Sequence, residues 1–516
     1  MKRKVLVLSV IILMSTFVFG IGVQNSMAAD KSKYGGILKM NHAKEATNIG
    51  LPPNVRAWNH EFGDIVCQSL LERTKEVPGI SPKLVTSWQL AADRSHYIFN
   101  LRKGVKFHDG TDFNAHAAKW SLDLYEGSTG TTFSEVKSVE VIDDYTLKIN
   151  LSSWNSLVIT DFGGSAYMIS PTAYEKYGPK KMESFPVGTG AFTITENKRK
   201  AYMRFEKFDG YWEKKDGDKL PYLDEIKITT IVDSMTAIAV MKNRDVDVLM
   251  GVDYVTASEL LKAGNYDADW IPGPVYLLAF NSTDPNSMWS DKKMRYALDY
   301  AINKESITKN LGYGFVKPVN EIVAFCSGNP KKTIREYNPE KARQLLKEAG
   351  YPNGVKVTMA INAEWPKDFP MALQNNLSEA GIQLEIQPVR GAALLQKFWE
   401  VTPGSELRMQ HIPRGHAFLN ELQFIRGQLA SDSINLPGMK RPKELDSLLH
   451  KALQMTDSEQ MISTIEKIEE TAYEDAMYVP LWNLPLIFVK RTNVKDAIFI
   501  KGGTPSPRLQ TAWIEK

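Results

Sequence analysis

Cysteine is nearly absent: 516 residues contain only Cys67 and Cys326. They are far apart in sequence and fall in segments assigned below to different lobes, where a disulfide would oppose lobe motion, so two buried free thiols are expected. Catalytic motifs are missing as well. There is no Gly-x-x-x-x-Gly-Lys-Ser/Thr or full Gly-x-Gly-x-x-Gly loop, no Gly-x-Ser-x-Gly elbow and no His-Glu-x-x-His helix, since His60-Glu61 is followed by no second histidine at that spacing. Catalytic residues, a resident cofactor and a metal site are therefore not expected. Beyond the N-terminus no run reaches about 18 uninterrupted apolar residues, so no later segment reads as membrane-spanning.

Excess charge is also lacking. Lysine and arginine number 63 against 60 acidic residues, a formal net of +3, and the whole excess sits in Lys2, Arg3 and Lys4. Those residues precede an apolar run from Val5 to about Val23 and the small-residue stretch Ser26-Met27-Ala28-Ala29, the pattern of a secretory signal peptide. A retained anchor is the competing explanation, but Gly20, Gly22 and Gln24 interrupt the run and a cleavable site follows. Cleavage near Ala28 or Ala29 is expected; neither cysteine lies at that site, so the exported chain is expected to be soluble and not lipid-anchored. Without the leader it is formally neutral, which gives no electrostatic reason for nucleic acid or an anionic membrane as partner.

What remains is too long for one hydrophobic core, and two or three lobes are expected. The first stretch reads as mixed strands and helices. Val139-Glu140-Val141-Ile142 and the run from Tyr145 to Leu151 flank Asp143-Asp144 as a hairpin. The middle of the chain is more helical: Met294, Ala297, Leu298 and Ala301 form one apolar face, as do Ala342, Leu345, Leu346 and Ala349 in a segment opened by Asn338-Pro339 and closed by Gly350. Val355, Val357, Met359 and Ile361 alternate, a helical stretch follows over about Pro370 to Ala380, and Leu384 and Ile386 alternate again, an α/β unit. The last 35 or so residues return to β-rich sequence, as in Tyr478-Val479-Pro480-Leu481-Trp482 and Leu486-Ile487-Phe488-Val489. A chain that changes texture and then reverts suggests one lobe inserted into another.

Several blocks resemble, in order, the solute-binding proteins called family 5, which include dipeptide, oligopeptide and nickel binders. The block from Pro82 to Asp123 is the most specific, with Pro82-Lys83-Leu84-Val85-Thr86-Ser87-Trp88 and the run Tyr97 to Gly110. Pro186-Val187-Gly188-Thr189-Gly190-Ala191-Phe192, Tyr211-Trp212, Leu220 to Asp224, Asn338 to Gly350 and Tyr473 to Leu481 follow. The resemblance implies a mixed α/β, two-lobed periplasmic binding protein fold of the Venus-flytrap kind, its larger lobe carrying an extra subdomain. The corresponding division is a signal peptide over 1–28, the large lobe over 29–278, an inserted small lobe over 279–481 and a large-lobe return over 482–516, with crossings near Tyr276 to Asn281 and Pro480 to Leu484. It further implies a periplasmic monomer that closes on a small-molecule or peptide ligand, peptide by family default. Such a receptor delivers its ligand to an ABC permease and, through it, the ATPase subunits, touching the inner membrane complex only peripherally. A chaperone-like holder with the same lobes is the alternative partner class.

Candidate ligand-binding residues are Trp58, Gly188, Thr189, Gly190, Phe192, Asn281, Arg408, Arg414, His416 and Trp482; packing is the other explanation for the aromatics among them, and the favoured one for Phe192 and Trp482. Phe107-His108-Asp109-Gly110 reads as a turn, because adjacent residues on a strand face opposite ways and Asp-Gly favours turning. Peptide-binding relatives commonly carry an acid in a Trp-x-x-Asp-like stretch of the small lobe. The corresponding segment, Leu407 to Phe418, holds two arginines, two histidines and no acid. That reversal suits an anionic solute or a metal chelate; a solvated basic loop is the other explanation.

Overall fold

The computed structural model describes residues 31–43, 49–51, 60–74, 79–125, 133–164, 166–271, 273–322, 335–399, 407–412, 418–501 and 504–516. A seven-stranded sheet has the order Phe192–Lys198, Tyr202–Lys207, Glu225–Thr230, Ile37–His42, Val248–Val252, Leu486–Arg491 and Tyr266–Ile271. Ile37–His42 is parallel to both of its neighbours, and the remaining pairs are antiparallel. Strands from near both ends of the chain thus share one sheet, the topology that a texture change followed by reversion requires.

A second, six-stranded sheet runs Lys317–Pro318, Tyr478–Asn483, Val275–Phe280, Leu407–Ile412, Val355–Asn362 and Ile382–Val389. Every residue of Val275–Phe280 is buried, because the sheet is covered on both faces and neither set of alternating side chains meets water. Tyr276, Leu278 and Phe280 join the core formed with helices Lys292–Tyr300, Pro339–Glu348 and Asp368–Glu379. Leu277 and Ala279 join the core of helices Phe418–Leu429, Lys443–Leu453 and Ser458–Glu474.

Local chemistry sets these helix starts. Asp291 accepts from the Lys293 amide at 2.8 Å and Asn338 from the Lys341 amide at 2.8 Å, each satisfying an amide that has no partner within its helix. The apolar faces expected from spacing are the buried ones: Met294, Ala297, Leu298 and Ala301 in the first, Ala342 and Leu346 in the second. Val355–Asn362 and Ile382–Val389 pair in parallel with the helix Asp368–Glu379 between them, the expected α/β unit.

A four-stranded antiparallel sheet, in the order Val85–Leu90, His96–Leu101, Thr146–Leu151 and Val136–Asp143, makes a further subdomain. Its hairpin turns at Asp143-Asp144, where Asp143 accepts from the Tyr145 amide at 2.8 Å. Phe99, Leu147, Ile149 and Phe162 of this subdomain belong to the same apolar cluster as Leu422, Ile425 and Leu449. Polar contacts lie alongside: the Ser156 amide donates to Leu453 O at 2.8 Å and Arg94 to Gln454 O at 3.2 Å.

The chain leaves the seven-stranded sheet after Ile271, enters the six-stranded sheet at Val275, and returns between Asn483 and Leu486. The limits expected at 278/279 and 481/482 fall inside the strands Val275–Phe280 and Tyr478–Asn483. Both flanks of each crossing read as strand, and alternation does not reveal which sheet a strand joins. The crossings touch: the Leu484 amide donates to Pro274 O at 3.2 Å, and a Cβ on Gly273 would stand 1.5 Å from Leu484 O, so no side chain fits there.

Candidate functional site

Between the four-stranded subdomain and the six-stranded lobe lies a cavity of about 790 Å³, within the usual range for small-ligand sites. On one wall stand Ser134, Glu135 and Asn155, then Leu157, Val158, Thr160 and Asp161 of the tight turn Val158–Phe162 and its approach. The opposite wall presents Asn362, Trp365 and Gln410, with Leu394 and Phe398 from the helix Gly391–Trp399. Gln423, Phe424, Arg426, Gly427 and Gln428 follow from the helix Phe418–Leu429, and Asn435 completes that side.

The first wall is fixed from beneath. Phe162 is fully buried and packs edge-on to Phe99 with ring centroids 4.9 Å apart, while Asn155 caps the turn by accepting from the Leu157 amide at 2.9 Å. The Asp161 carboxylate accepts from the Phe133 amide at 2.7 Å, and Glu135 accepts from Asn155 at 3.1 Å and from the Ser134 hydroxyl at 2.5 Å. Burial pushes the Asp161 carboxyl up to about 6; the Phe133 amide and the Arg73 guanidinium oppose this, and Glu135 adds to it. Arg73 stands behind the turn, donating to Thr160 O at 3.2 Å.

On the other wall Trp365 makes T-shaped contacts with Tyr276 at 5.0 Å and Phe398 at 6.2 Å, an apolar surface suited to a hydrophobic or planar group. Gln410 donates to Asn435 O at 2.9 Å and accepts from Arg408 at 3.4 Å. Arg408 is fully buried, and that burial lowers its pKa to about 10; its Nη2 donates to Pro437 O at 2.6 Å. It buttresses Gln410 and does not line the cavity.

The remaining sequence candidates are dispersed. Gly188 and Gly190 press on the backbone of Val66 and Cys67, where any Cβ would collide at under 3 Å. Thr189 donates to Gln68 at 3.0 Å, and the Trp212 indole donates to the same Gln68 oxygen at 3.0 Å. This segment is pinned by the His108 turn: His108 N donates to Gly188 O at 2.9 Å and its Nε2 meets Gly190 O at 2.9 Å. Burial holds the His108 imidazole down at about 4, hence neutral, so Nε2 is the donor. Gly190 and Phe192 border a smaller polar cavity of about 80 Å³ inside the large lobe. Phe192 and Trp482 are core residues, the latter tilted against Phe369 at 4.9 Å. Asn281 is buried beyond the end of its strand and accepts from Thr283 at 3.3 Å. Trp58, Arg414, His416 and Cys326 lie outside the described residues. Cys67 is a buried free thiol whose pKa burial raises.

Sequence reasoning passed over Glu135, Asp161, Trp365, Phe398, Gln410 and Gln428. One signal was present: Asp161 interrupts the apolar stretch Leu157-Val158-Ile159-Thr160-Asp161-Phe162, where a carboxylate must be kept for a reason other than solubility.

Among the described residues no helix is long and apolar enough to cross a membrane, and no group of His, Cys, Asp or Glu is arranged to hold a metal ion. Residues 79–422 match the family of bacterial extracellular solute-binding proteins, family 5 (middle region). The chain belongs to that family, whose work is binding and not catalysis. The glutathione-binding protein GsiB of Escherichia coli strain K12 is 28% identical over 414 residues, covering 77% of this chain and 79% of that protein. Among solved structures, HbpA2 from Haemophilus parasuis superposes with a TM-score of 0.80 at 20% identity, covering 93% of this chain and 100% of that one. The Helicobacter pylori periplasmic binding protein DppA, in complex with the peptide STSA, does so with a TM-score of 0.73 at 22% identity, over 94% and 99% of the two chains. The mixed α/β periplasmic binding protein fold expected from the family resemblance is the one observed.

Proposed function

We propose that this protein is the exported substrate-binding component of an ABC importer, a periplasmic monomer that captures a small peptide-like solute between its lobes and hands it to the membrane permease. The observation that carries this is the cavity of about 790 Å³, walled by the four-stranded subdomain on one side and the six-stranded lobe on the other. It combines an aromatic surface at Trp365 and Phe398 with carboxylates and side-chain amides, the mixture that suits a short peptide or a peptide-like thiol such as the one bound by the glutathione-binding relatives. The touching crossings at Gly273 and Leu484 supply a hinge. Because both walls contact the solute only when closed, binding favours the closed shape, and a permease that recognises that shape receives loaded protein.

An anionic or chelated ligand draws no support from the described wall: Arg408 is spent on Gln410 and Pro437 O, and two carboxylates line the cavity. A chaperone-like role fits less well with a site of this size. The test is thermal unfolding of purified protein, refolded to strip carried-over solute, against short peptides, glutathione, nickel with free histidine, oligosaccharides and small carboxylates. A ligand at about 100 times its Kd adds roughly 2.7 kcal/mol and raises Tm by a few degrees. A response to peptides or glutathione is expected; no response to any small solute would overturn the proposal.

A further inference from the structure

We propose that the large lobe carries a basic docking surface for an anionic phospholipid bilayer, formed by Lys198, Arg199 and Lys200 at a hairpin tip and by Lys180 and Lys181 on the helix beside it. This surface is separate from the cavity and needs no solute to act.

The neutrality expected of the exported chain is a sum over uneven parts. Residues 176–204 hold seven basic and two acidic residues, so the rest of the chain carries the opposite excess. The fold gathers the basic share at one place. Phe192–Lys198 is an edge strand of the seven-stranded sheet and pairs with Tyr202–Lys207, Lys198 standing opposite Tyr202. Arg199 and Lys200 form the turn between them, closed by the Ala201 amide donating to Lys198 O at 2.9 Å. Lys227, on the next strand, and Lys198 each hold Nζ 5.0 Å from the centroid of the Tyr202 ring. Asn197 donates to Ser184 O at 3.4 Å, which sets the helix Pro179–Ser184 alongside. Lys180, Lys181, Lys198, Arg199 and Lys200 are all exposed.

The acids of the segment leave this charge largely in place. Glu196 accepts from the Tyr202 hydroxyl at 2.8 Å and from Arg204 at 3.0 Å, while Lys198 stands 3.7 Å from it. Soluble surfaces usually intersperse the two signs. Guarding an open sheet edge against pairing would call for lysine along the strand, but Phe192–Lys198 has a single lysine, at its end, and the others lie off the strand. None of the five basic residues lines either cavity, so what they present is a surface and not a pocket. Beside them Tyr177, 49% exposed, ends the helix Pro171–Tyr177 with Lys176 Nζ 5.0 Å from its ring centroid. An exposed aromatic ring among lysines suits the headgroup level of a bilayer, where amphipathic rings and cations are both favoured. That pairing argues for lipid over an acidic protein.

The experiment is co-sedimentation of the purified protein with vesicles of phosphatidylcholine alone or of an equal mixture with phosphatidylglycerol. It is run at about 0.1 M and about 1 M salt, between which the screening length falls from about 10 Å to about 3 Å. Binding to the mixed vesicles at the lower salt, lost at the higher, is expected. Each basic residue close to an anionic surface strengthens association roughly fivefold, so Lys198→Gln, Arg199→Gln and Lys200→Gln together should weaken binding tenfold or more, and Lys180→Gln with Lys181→Gln about tenfold. The same charge removed from exposed positions of the inserted lobe, by Lys347→Gln, Lys451→Gln and Lys467→Gln, should change binding less than threefold, with Tm showing that every variant is folded. Failure of the unaltered protein to prefer the mixed vesicles, or equal losses in the two triple variants, would overturn the proposal. Binding to soluble polyglutamate but not to vesicles would overturn it in favour of an acidic protein partner.

Discussion

The two walls of the cleft are built on different principles. The wall from the four-stranded subdomain is a short, capped turn that holds charge, with Glu135 and Asp161 fixed by Asn155, Ser134 and the Phe133 amide. The wall from the six-stranded lobe is a set of amides and aromatics on regular elements, with Gln410 braced by buried Arg408 and Trp365 braced by Tyr276. One wall carries both carboxylates of the lining, and the other carries its aromatics, most of its amides and Arg426. The burial that raises the Asp161 pKa is opposed by the Phe133 amide and the Arg73 guanidinium of the same wall.

The largest expected effect separates the cleft from the core. Trp482→Ala removes a fully buried indole and should cost about 3–5 kcal/mol of stability, measured by denaturant unfolding; solute Kd in the folded fraction should stay within threefold. A loss of affinity without a loss of stability would return Trp482 to the binding site.

Next comes the joint that sets the walls opposite each other. Gly273→Ala places a Cβ 1.5 Å from Leu484 O, so the crossings must part. We expect a cost of about 1–3 kcal/mol and tenfold weaker solute binding, with small-angle scattering showing a less closed liganded form. Unchanged scattering and affinity would show that the crossings do not set closure.

Asp161→Asn should move stability and affinity in opposite directions. The carboxyl titrates at about 6 in the fold against a reference of 3.8, so the folded state binds the proton more tightly than the unfolded one. This group therefore destabilises the protein above about pH 6, and the penalty disappears as pH falls through 6 toward 4. At pH 7.5 the amide, which still accepts from the Phe133 amide, should raise unliganded stability by up to about 3 kcal/mol, while solute affinity drops about tenfold. In the unaltered protein, solute affinity should fall as pH drops through 6, with Arg73 and Glu135 the other charges acting on the carboxyl. A pH-independent affinity in titration calorimetry would count against a charged role for this wall.

The smallest effect is expected at Arg426→Gln. Its partner Asp432 is 70% exposed, and such pairs contribute about 0–1 kcal/mol; solute binding should change less than threefold. A large loss would mean that the wall of aromatics and amides also reads charge.

Much of the architecture could be read without coordinates because its causes are local. Asn338 and Pro339 open a helix through one side-chain bond and one fixed dihedral, Val355 to Ile361 alternate because a pleated strand has two faces, and Asp143-Asp144 turns a hairpin by bonding its own backbone. The return of the chain's last part to the sheet of its first part matches the change and reversion of texture along the sequence. The exact crossings could not be read this way: Val275–Phe280 and Leu486–Arg491 have similar apolar composition, and only pairing shows that they belong to different sheets.

The site was far less legible. Arg408, Phe192 and Trp482 have side chains capable of binding a solute, but burial decides whether a side chain packs or binds, and burial is a property of neighbours distant in sequence. Sequence alone determined the family, the helix starts, the α/β unit and the fact that no catalytic motif is present, because each depends on residues within a few positions of one another. Tertiary structure alone decided that Glu135, Asp161, Trp365 and Gln428 face a common space. They come from a strand entry, a turn, a loop and a helix, and only the packing of segments distant in sequence brings them to one cavity.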